Sequence, residues 1–169
     1  MKQCRIMCTS ECSLACSYCC NKIPEIQKSF KMTTMDEMVR MKYDIYNITG
    51  GEITLVPEKL YRVCSQIREH NPKAKIYLYT NGYNLSELME VHEFIDGINF
   101  GLHKDFAKMM NMIHYFYNDC TKLSIILSVN EDEYAKNKLV FDNPKYKNMK
   151  VKLWKLNECN RTKEDRFII

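Results

Sequence analysis

Long hydrophobic runs are missing from this chain: no stretch is apolar over the roughly 20 residues that a membrane helix needs. The first residues are polar and then cysteine-bearing, without the apolar core of a secretory signal. The expectation is a cytoplasmic protein that does not engage a membrane. Dense blocks of Lys or Arg are missing too. The 25 Lys plus Arg stand against 21 Asp plus Glu, a formal charge of +4. That balance leans weakly toward anionic partners such as nucleotides and makes nucleic acid an unlikely ligand, because nucleic-acid binders carry a denser basic patch. The chain also has no internal repeat, low-complexity tract or evident linker.

What is present is an alternation of strand-like and helix-like segments over 169 residues, a length that suits one domain with a real core. Strands are expected near 3–9, 46–49, 75–80, 98–102, 123–129 and 149–156. Between them, Thr34-x-x-Glu37 forms a capping box that opens a helix. Pro57 sits at a helical first turn ahead of Leu60, Val63, Cys64 and Ile67, which share a face. Leu85, Leu88 and Met89 begin a third helix, and Phe106, Met109, Met110 and Ile113 mark a fourth. A weaker helix starts at the acidic run Glu131-Asp132-Glu133. Six strands alternating with five helices predict an α/β fold with parallel strands, a partial TIM-like barrel of about (βα)5 plus a sixth strand. A closed eight-stranded barrel needs about 250 residues. The barrel domain is expected over residues 1–157 and a polar C-terminal tail over 158–169. In either an open sheet or a part-barrel, the ligand site belongs at the carboxyl ends of the strands.

Of nine cysteines, six lie in the first 20 residues. Without a signal peptide, such clustering points to metal or redox chemistry rather than a disulfide frame. The spacing Cys12-x3-Cys16-x2-Cys19 occurs once. Starting the same frame at Cys4, Cys8 or Cys16 runs into Glu11, Ala15 or Ile23. Three thiolates on one short loop hold three irons of a cubane and leave the fourth open to a substrate, so the cluster serves both as electron donor and as Lewis acid. Zinc is the other reading, as are scattered reduced thiols. Zinc sites usually take two ligand pairs, whereas Cys16 and Cys19 form one pair, and His70, His92, His103 and His114 lie far away without pair spacing. Cys4 and Cys8 share a strand face and Cys64 lies on an apolar helix face, all expected as small core residues. Cys20 falls outside the ligand frame, and Cys120 and Cys159 are isolated.

The run Thr9-Ser10-Glu11-Cys12-Ser13-Leu14-Ala15-Cys16-Ser17-Tyr18-Cys19 resembles the cluster loop of radical S-adenosylmethionine enzymes, down to aromatic Tyr18 before the third cysteine. The resemblance implies a 4Fe–4S cluster on Cys12, Cys16 and Cys19. It also implies S-adenosylmethionine chelated at the open iron and cleaved by one electron to methionine and a 5′-deoxyadenosyl radical, which abstracts hydrogen from a substrate. Thr49-Gly50-Gly51-Glu52, after the second strand, is similar to the family's Gly-Gly-Glu-Pro motif, whose backbone and acid hold the methionine amino group. Ile53 stands where that pattern has proline. Thr80-Asn81-Gly82, ending the third strand, also looks like a family feature, and Thr80 and Asn81 are expected as cofactor contacts. His103 shares a polar strand face with Asn99 and Gly101, opposite Ile98, Phe100 and Leu102. Ser128 and Asn130 share a face on the fifth strand, where family members place polar groups against the cofactor. Lys152 and Trp154 face either the pocket or, on an edge strand, solvent.

The substrate is the thinnest part of the reading. One expectation is a peptide or protein, such as a glycyl-radical enzyme, modified or activated by the radical. A second is a nucleotide-like small molecule, and a third class is a non-catalytic iron–sulfur or zinc protein. Radical chemistry further implies a one-electron donor such as a flavodoxin or ferredoxin. No residue is assigned as a catalytic acid or base, since the cofactor carries the abstracting species.

Overall fold

The computed structural model describes residues 1–17, 19–154 and 163–169. Eight strands form one sheet: β1 (Gln3–Met7), β2 (Phe30–Met32), β3 (Ile45–Thr49), β4 (Lys75–Thr80), β5 (Gly97–Leu102), β6 (Ser124–Asn130), β7 (Lys150–Trp154) and β8 (Asp165–Ile168). Their order is β2-β8-β1-β3-β4-β5-β6-β7, and every pairing is parallel. The fold is therefore α/β with an open, part-barrel sheet, as the alternation of segments predicts. The helices are α1 (Pro24–Ser29), α2 (Met35–Arg40), α3 (Pro57–His70), α4 (Ser86–Met89), α5 (Phe106–Asp119), α6 (Glu131–Lys136) and α7 (Lys138–Phe141). Among the described residues no helix is long and apolar enough to cross a membrane.

The alternation within each strand sorts two faces. On β5, Ile98, Phe100 and Leu102 are at most 2% exposed and point to the helix-covered side. Phe100 meets Phe116 of α5 edge-on at 6.4 Å between ring centres. Ile125, Leu127 and Val129 continue that side on β6, and Ile76 and Leu78 on β4. Leu60, Val63, Cys64 and Ile67 of α3 are buried in the same core. The opposite face of the sheet carries Arg5 of β1, Asn47 of β3, Tyr79 of β4, Asn99 of β5 and Ser128 of β6, a polar lining.

Local signals behave as expected at several points. Thr34 and Glu37 form a reciprocal capping box at the start of α2, which ends at Arg40 ahead of Lys42 with a φ of 45°. Pro57 opens a 14-residue helix. The helix begun by Leu85 is a single turn, and the one begun by Glu131 breaks into two short helices at Asn137.

Three elements lie outside the predicted set. Pro24–Ser29 and Phe30–Met32 form α1 and β2, too short to show a period. Within the segment expected as a polar tail, Asp165–Ile168 forms β8 beside β1, pairing Arg5 with Arg166 and Ile6 with Phe167. Among the described residues the sheet thus grows on the β1 side rather than beyond β7. Phe167 is 6% exposed and stacks edge-on against Tyr43 at 6.1 Å. Phe167→Ala is expected to cost about 3 kcal/mol of stability through the cavity it leaves, read as a lower urea midpoint. An unchanged midpoint would show that β8 is not part of the cooperative core.

Candidate functional site: a thiol loop docked on a glycine cradle

The cysteine loop leaves β1 and immediately crosses the end of β3. Cys8 N–H donates to the Thr49 carbonyl (2.9 Å), Gly51 N–H to the Thr9 carbonyl (2.7 Å) and Glu52 N–H to the Glu11 carbonyl (2.7 Å). These bonds bring two backbones into direct contact, and this is why glycine stands there. A Cβ on Gly51 would lie 1.9 Å from the Glu11 carbonyl oxygen, and one on Gly50 would lie 2.8 Å from that of Thr9. The Gly50 carbonyl accepts a bond from Asn21 Nδ2 (2.7 Å), which draws the far end of the loop over the same cradle. Lys22 Nζ donates to the Cys16 carbonyl at 2.9 Å.

Glu52 is 0% exposed. Its Oε1 accepts from Thr54 N–H (3.1 Å), Thr54 O–H (2.8 Å) and Thr80 O–H (2.6 Å), and its Oε2 from Asn81 N–H (2.7 Å). Ile53, in place of proline, is wholly buried and begins a 3-10 turn over Ile53–Leu55. The acid therefore ties the end of β3 to the end of β4. Asn81 continues outward: its Nδ2 lies 3.1 Å from Ser13 Oγ and 3.9 Å from Cys12 Sγ. Gly82, at a φ of 76°, completes the turn after β4 in a conformation suited to glycine.

A cavity of about 350 Å³ lies against these strand ends. Its wall includes Cys12, Cys16, Cys19, Gly50, Gly51, Thr80, Asn81, His103 and Ser128. Lys152 and Trp154 also line it, so they face the pocket while β7 is an edge strand among the described residues. Ser128 O–H donates to Asn99 Oδ1 at 2.6 Å. A second cavity of about 310 Å³ adjoins the first and shares Leu14, Asn81, Gly101 and His103 with it. His103 folds over Gly101, whose absent Cβ would sit 3.0 Å from the ring Nε2. Burial pushes the His103 pKa down, against the opposing pull of Glu52.

Two expected residues stand apart. Asn130 is not in the cavity wall; its Oδ1 accepts from Asp132 N–H (3.0 Å) and caps α6. Tyr18 lies outside the described residues, as does Cys159. The sequence reading overlooked Arg5, Glu164 and Arg166, which also line the cavity. Arg5 Nε donates to Glu164 Oε1 at 2.6 Å, Arg166 Nε lies 3.6 Å from the same oxygen, and the Arg5 guanidinium covers the Tyr79 ring at 4.5 Å. Arg5 was detectable as a charge alternating with Cys4 and Ile6. Glu164 and Arg166 carried no such signal in a four-residue strand of mixed polarity.

The thiols fall into two environments. Burial pushes Cys8 up to about 12 and holds Cys4 and Cys64 well above the ordinary thiol range, so these remain protonated core groups. Cys12 is exposed, and Cys16 and Cys19 are half-buried. Cys16 is pushed up by burial and then by the neighbouring Cys12 and Cys19. Among the described residues no three Cys, His, Asp or Glu side chains already stand at metal-binding distance. The donor set nevertheless fits an iron–sulfur cluster in its chemistry: three soft thiol ligands on one loop, at the wall of a cavity.

The all-parallel part-barrel thus presents the three thiols of one loop at the wall of a pocket, beside a glycine cradle. The 4Fe-4S single cluster domain family matches residues 3–117, from β1 into the last turn of α5. The chain belongs to that family. No curated protein sequence matches it. Among solved structures, BtrN in complex with AdoMet and 2-DOIA is similar, with a TM-score of 0.53 and 19% identity over 75% of this chain and 56% of that one. Selenomethionine BtrN in an open conformation gives a TM-score of 0.46 and 21% identity over 62% of this chain and 51% of that one. The chain spans a little over half the length of the BtrN chain, and the likeness to the complex concerns the fold.

Two predictions follow from the geometry. Gly51→Ala is expected to lose most of the iron taken up in anaerobic reconstitution, and Gly50→Ala to lose less, in line with the 1.9 and 2.8 Å approaches. Equal iron in Gly51→Ala and the unsubstituted protein would refute the cradle. For His103, a folded pKa held below the ordinary 6.5 means that protonation favours the unfolded chain. Its contribution to stability is therefore complete above that value and is lost as pH falls toward the folded pKa. Denaturant titrations between pH 7 and 5 should show a flatter decline in His103→Gln.

Proposed function

We propose that this chain binds a 4Fe–4S cluster through Cys12, Cys16 and Cys19 and uses it on S-adenosylmethionine to start radical chemistry on a peptide or protein. The observation that carries the reading is the docking of the three-thiol loop on Gly50-Gly51, against one cavity walled by the ends of β1, β3, β4, β5 and β6. When bound, the cluster and S-adenosylmethionine supply a one-electron cleavage of the sulfonium and a 5′-deoxyadenosyl radical that takes a hydrogen atom from the substrate.

The chain's own residues do the positioning. The Gly50-Gly51 backbone fixes where the loop turns, and Asn21 holds its far side. Thr80, Asn81, His103 and Ser128 offer polar groups around the cofactor space. Glu52, with its carboxylate already satisfied by Thr54, Thr80 and Asn81, acts by holding the two loops together. The three cysteines lie on the loop after β1, which leaves the β7 side of the cavity, with Lys152 and Trp154, for the substrate. A peptide suits this side because the outer edge of β7 has no partner strand among the described residues, and an extended segment can add to such an edge. The electron donor is proposed to be a small flavodoxin-like or ferredoxin-like protein, in the cytoplasm.

The test is anaerobic reconstitution with iron and sulfide, followed by reductant and S-adenosylmethionine. The expected result is a cluster absorbance band and release of 5′-deoxyadenosine, both abolished in Cys16→Ala. An intact cluster that yields no 5′-deoxyadenosine, even with candidate peptides, would overturn the radical reading. Full activity in Cys16→Ala would overturn the ligand assignment. Turnover stimulated by a nucleotide and not by peptides would replace the substrate class.

A further inference from the structure

We infer that Asn81 donates a hydrogen bond to the thiolate of Cys12 and thereby sets the redox potential of the cluster, with Glu52 as the residue that holds it there; this rests on the cluster reading proposed above. Asn81 Nδ2 stands 3.9 Å from Cys12 Sγ and 3.1 Å from Ser13 Oγ, reaching the loop from a position 69 residues further along the chain. An amide oxygen in the same place would face the sulfur's negative charge, so electrostatics select the N–H orientation.

The amide is held from behind. Asn81 N–H donates to Glu52 Oε2 (2.7 Å), and Thr80 O–H donates to Glu52 Oε1 (2.6 Å). Gly82 N–H then closes back on Thr80 Oγ1 (3.0 Å). Glu52 Oε1 already accepts three donors, more than its two lone pairs accommodate ideally, and the residue is 0% exposed. A buried acid so fully engaged acts through what it holds, and what it holds is the turn that aims Asn81 at the loop. A donor on a cluster thiolate withdraws negative charge and favours the reduced state, so it raises the potential. Asn81 and Glu52 are thus positioning residues for the electron that enters the site.

The experiment is an EPR-monitored redox titration of the reconstituted cluster, with S-adenosylmethionine absent so that cofactor binding does not contribute. Asn81→Ala is expected to lower the potential, reducing the ratio of reduced to oxidised cluster by up to tenfold at the unsubstituted midpoint, or 59 mV for one electron. Asn81→Asp should lower it further by placing a carboxylate beside the sulfur. Glu52→Gln opposes a side-chain amide to at least one backbone N–H, which loosens the turn, and it also removes a carboxylate charge, which by itself raises the potential. In the Asn81→Ala background only the charge effect remains, so Glu52→Gln should shift the potential more positively there than in the unsubstituted protein. Ser13→Ala, which removes only the amide's other partner, should leave the potential unchanged or higher. A loaded cluster whose potential Asn81→Ala does not move overturns the inference and leaves the functional reading intact. So does a fall in Ser13→Ala as large as that in Asn81→Ala, which would make the effect one of loop shape. A parent protein that takes up no cluster removes both.

Discussion

Everything at the site depends on two stretches of backbone touching. The Thr9 and Glu11 carbonyls accept from Gly51 and Glu52 at 2.7 Å each, which extends the β1–β3 pairing past the ends of the strands. The sheet's own geometry thereby fixes the first residues of a loop that has little regular structure of its own. A Cβ at Gly51 would overlap the Glu11 carbonyl outright. Glycine at this point is therefore a condition for placing Cys12, whatever contact the cradle also offers a ligand. The loop's far end is bound to the same cradle by Asn21, so both flanks of the cysteine frame refer to one fixed point.

That fixed point has to be rigid, and Glu52 makes it so. A buried carboxylate is costly unless its oxygens are met by donors. Here Thr54, Thr80 and Asn81 meet them, and these groups come from two different strand ends. The cost of burying the charge is offset only in one arrangement of the β3 and β4 loops, which gives the acid its structural leverage. The apolar face behind supports this, since Ile48 and Leu78 on those strands are fully buried. Sheet, acid and thiol loop form a continuous chain of contacts from the core to Cys12.

Much of this could be read from the residues in order. Strand alternation in Ile98-Asn99-Phe100-Gly101-Leu102 identifies both a core face and a polar face, and the structure keeps both. The uniqueness of the Cys12, Cys16, Cys19 frame identifies the loop, and Gly50-Gly51 identifies the cradle. The role of Glu52 was harder to see. A sequence shows that a carboxylate follows two glycines, but its engagement by Thr54 and Thr80 depends on the tertiary pairing of β3 with β4. Asn130 misled for a related reason: it alternates correctly on its strand, yet as the last strand residue its side chain caps the helix that follows. Strand β8 was illegible because four residues give too few turns of the pattern, and its stability comes from β1 and Tyr43 rather than from its own sequence.

The crowding of cysteines is resolved by the same division of faces. Cys4 and Cys8 alternate on the helix-covered side of β1 and its extension, with Cys64 of α3 buried near Cys8. Burial there disfavours the thiolate, the form a metal needs. Past the end of β1 the chain leaves the core, and Cys12, Cys16 and Cys19 become accessible at a cavity wall. Six cysteines within twenty residues do not therefore compete for one cluster. The strand keeps Cys4 and Cys8 protonated, and the spacing in the loop singles out three from the remainder.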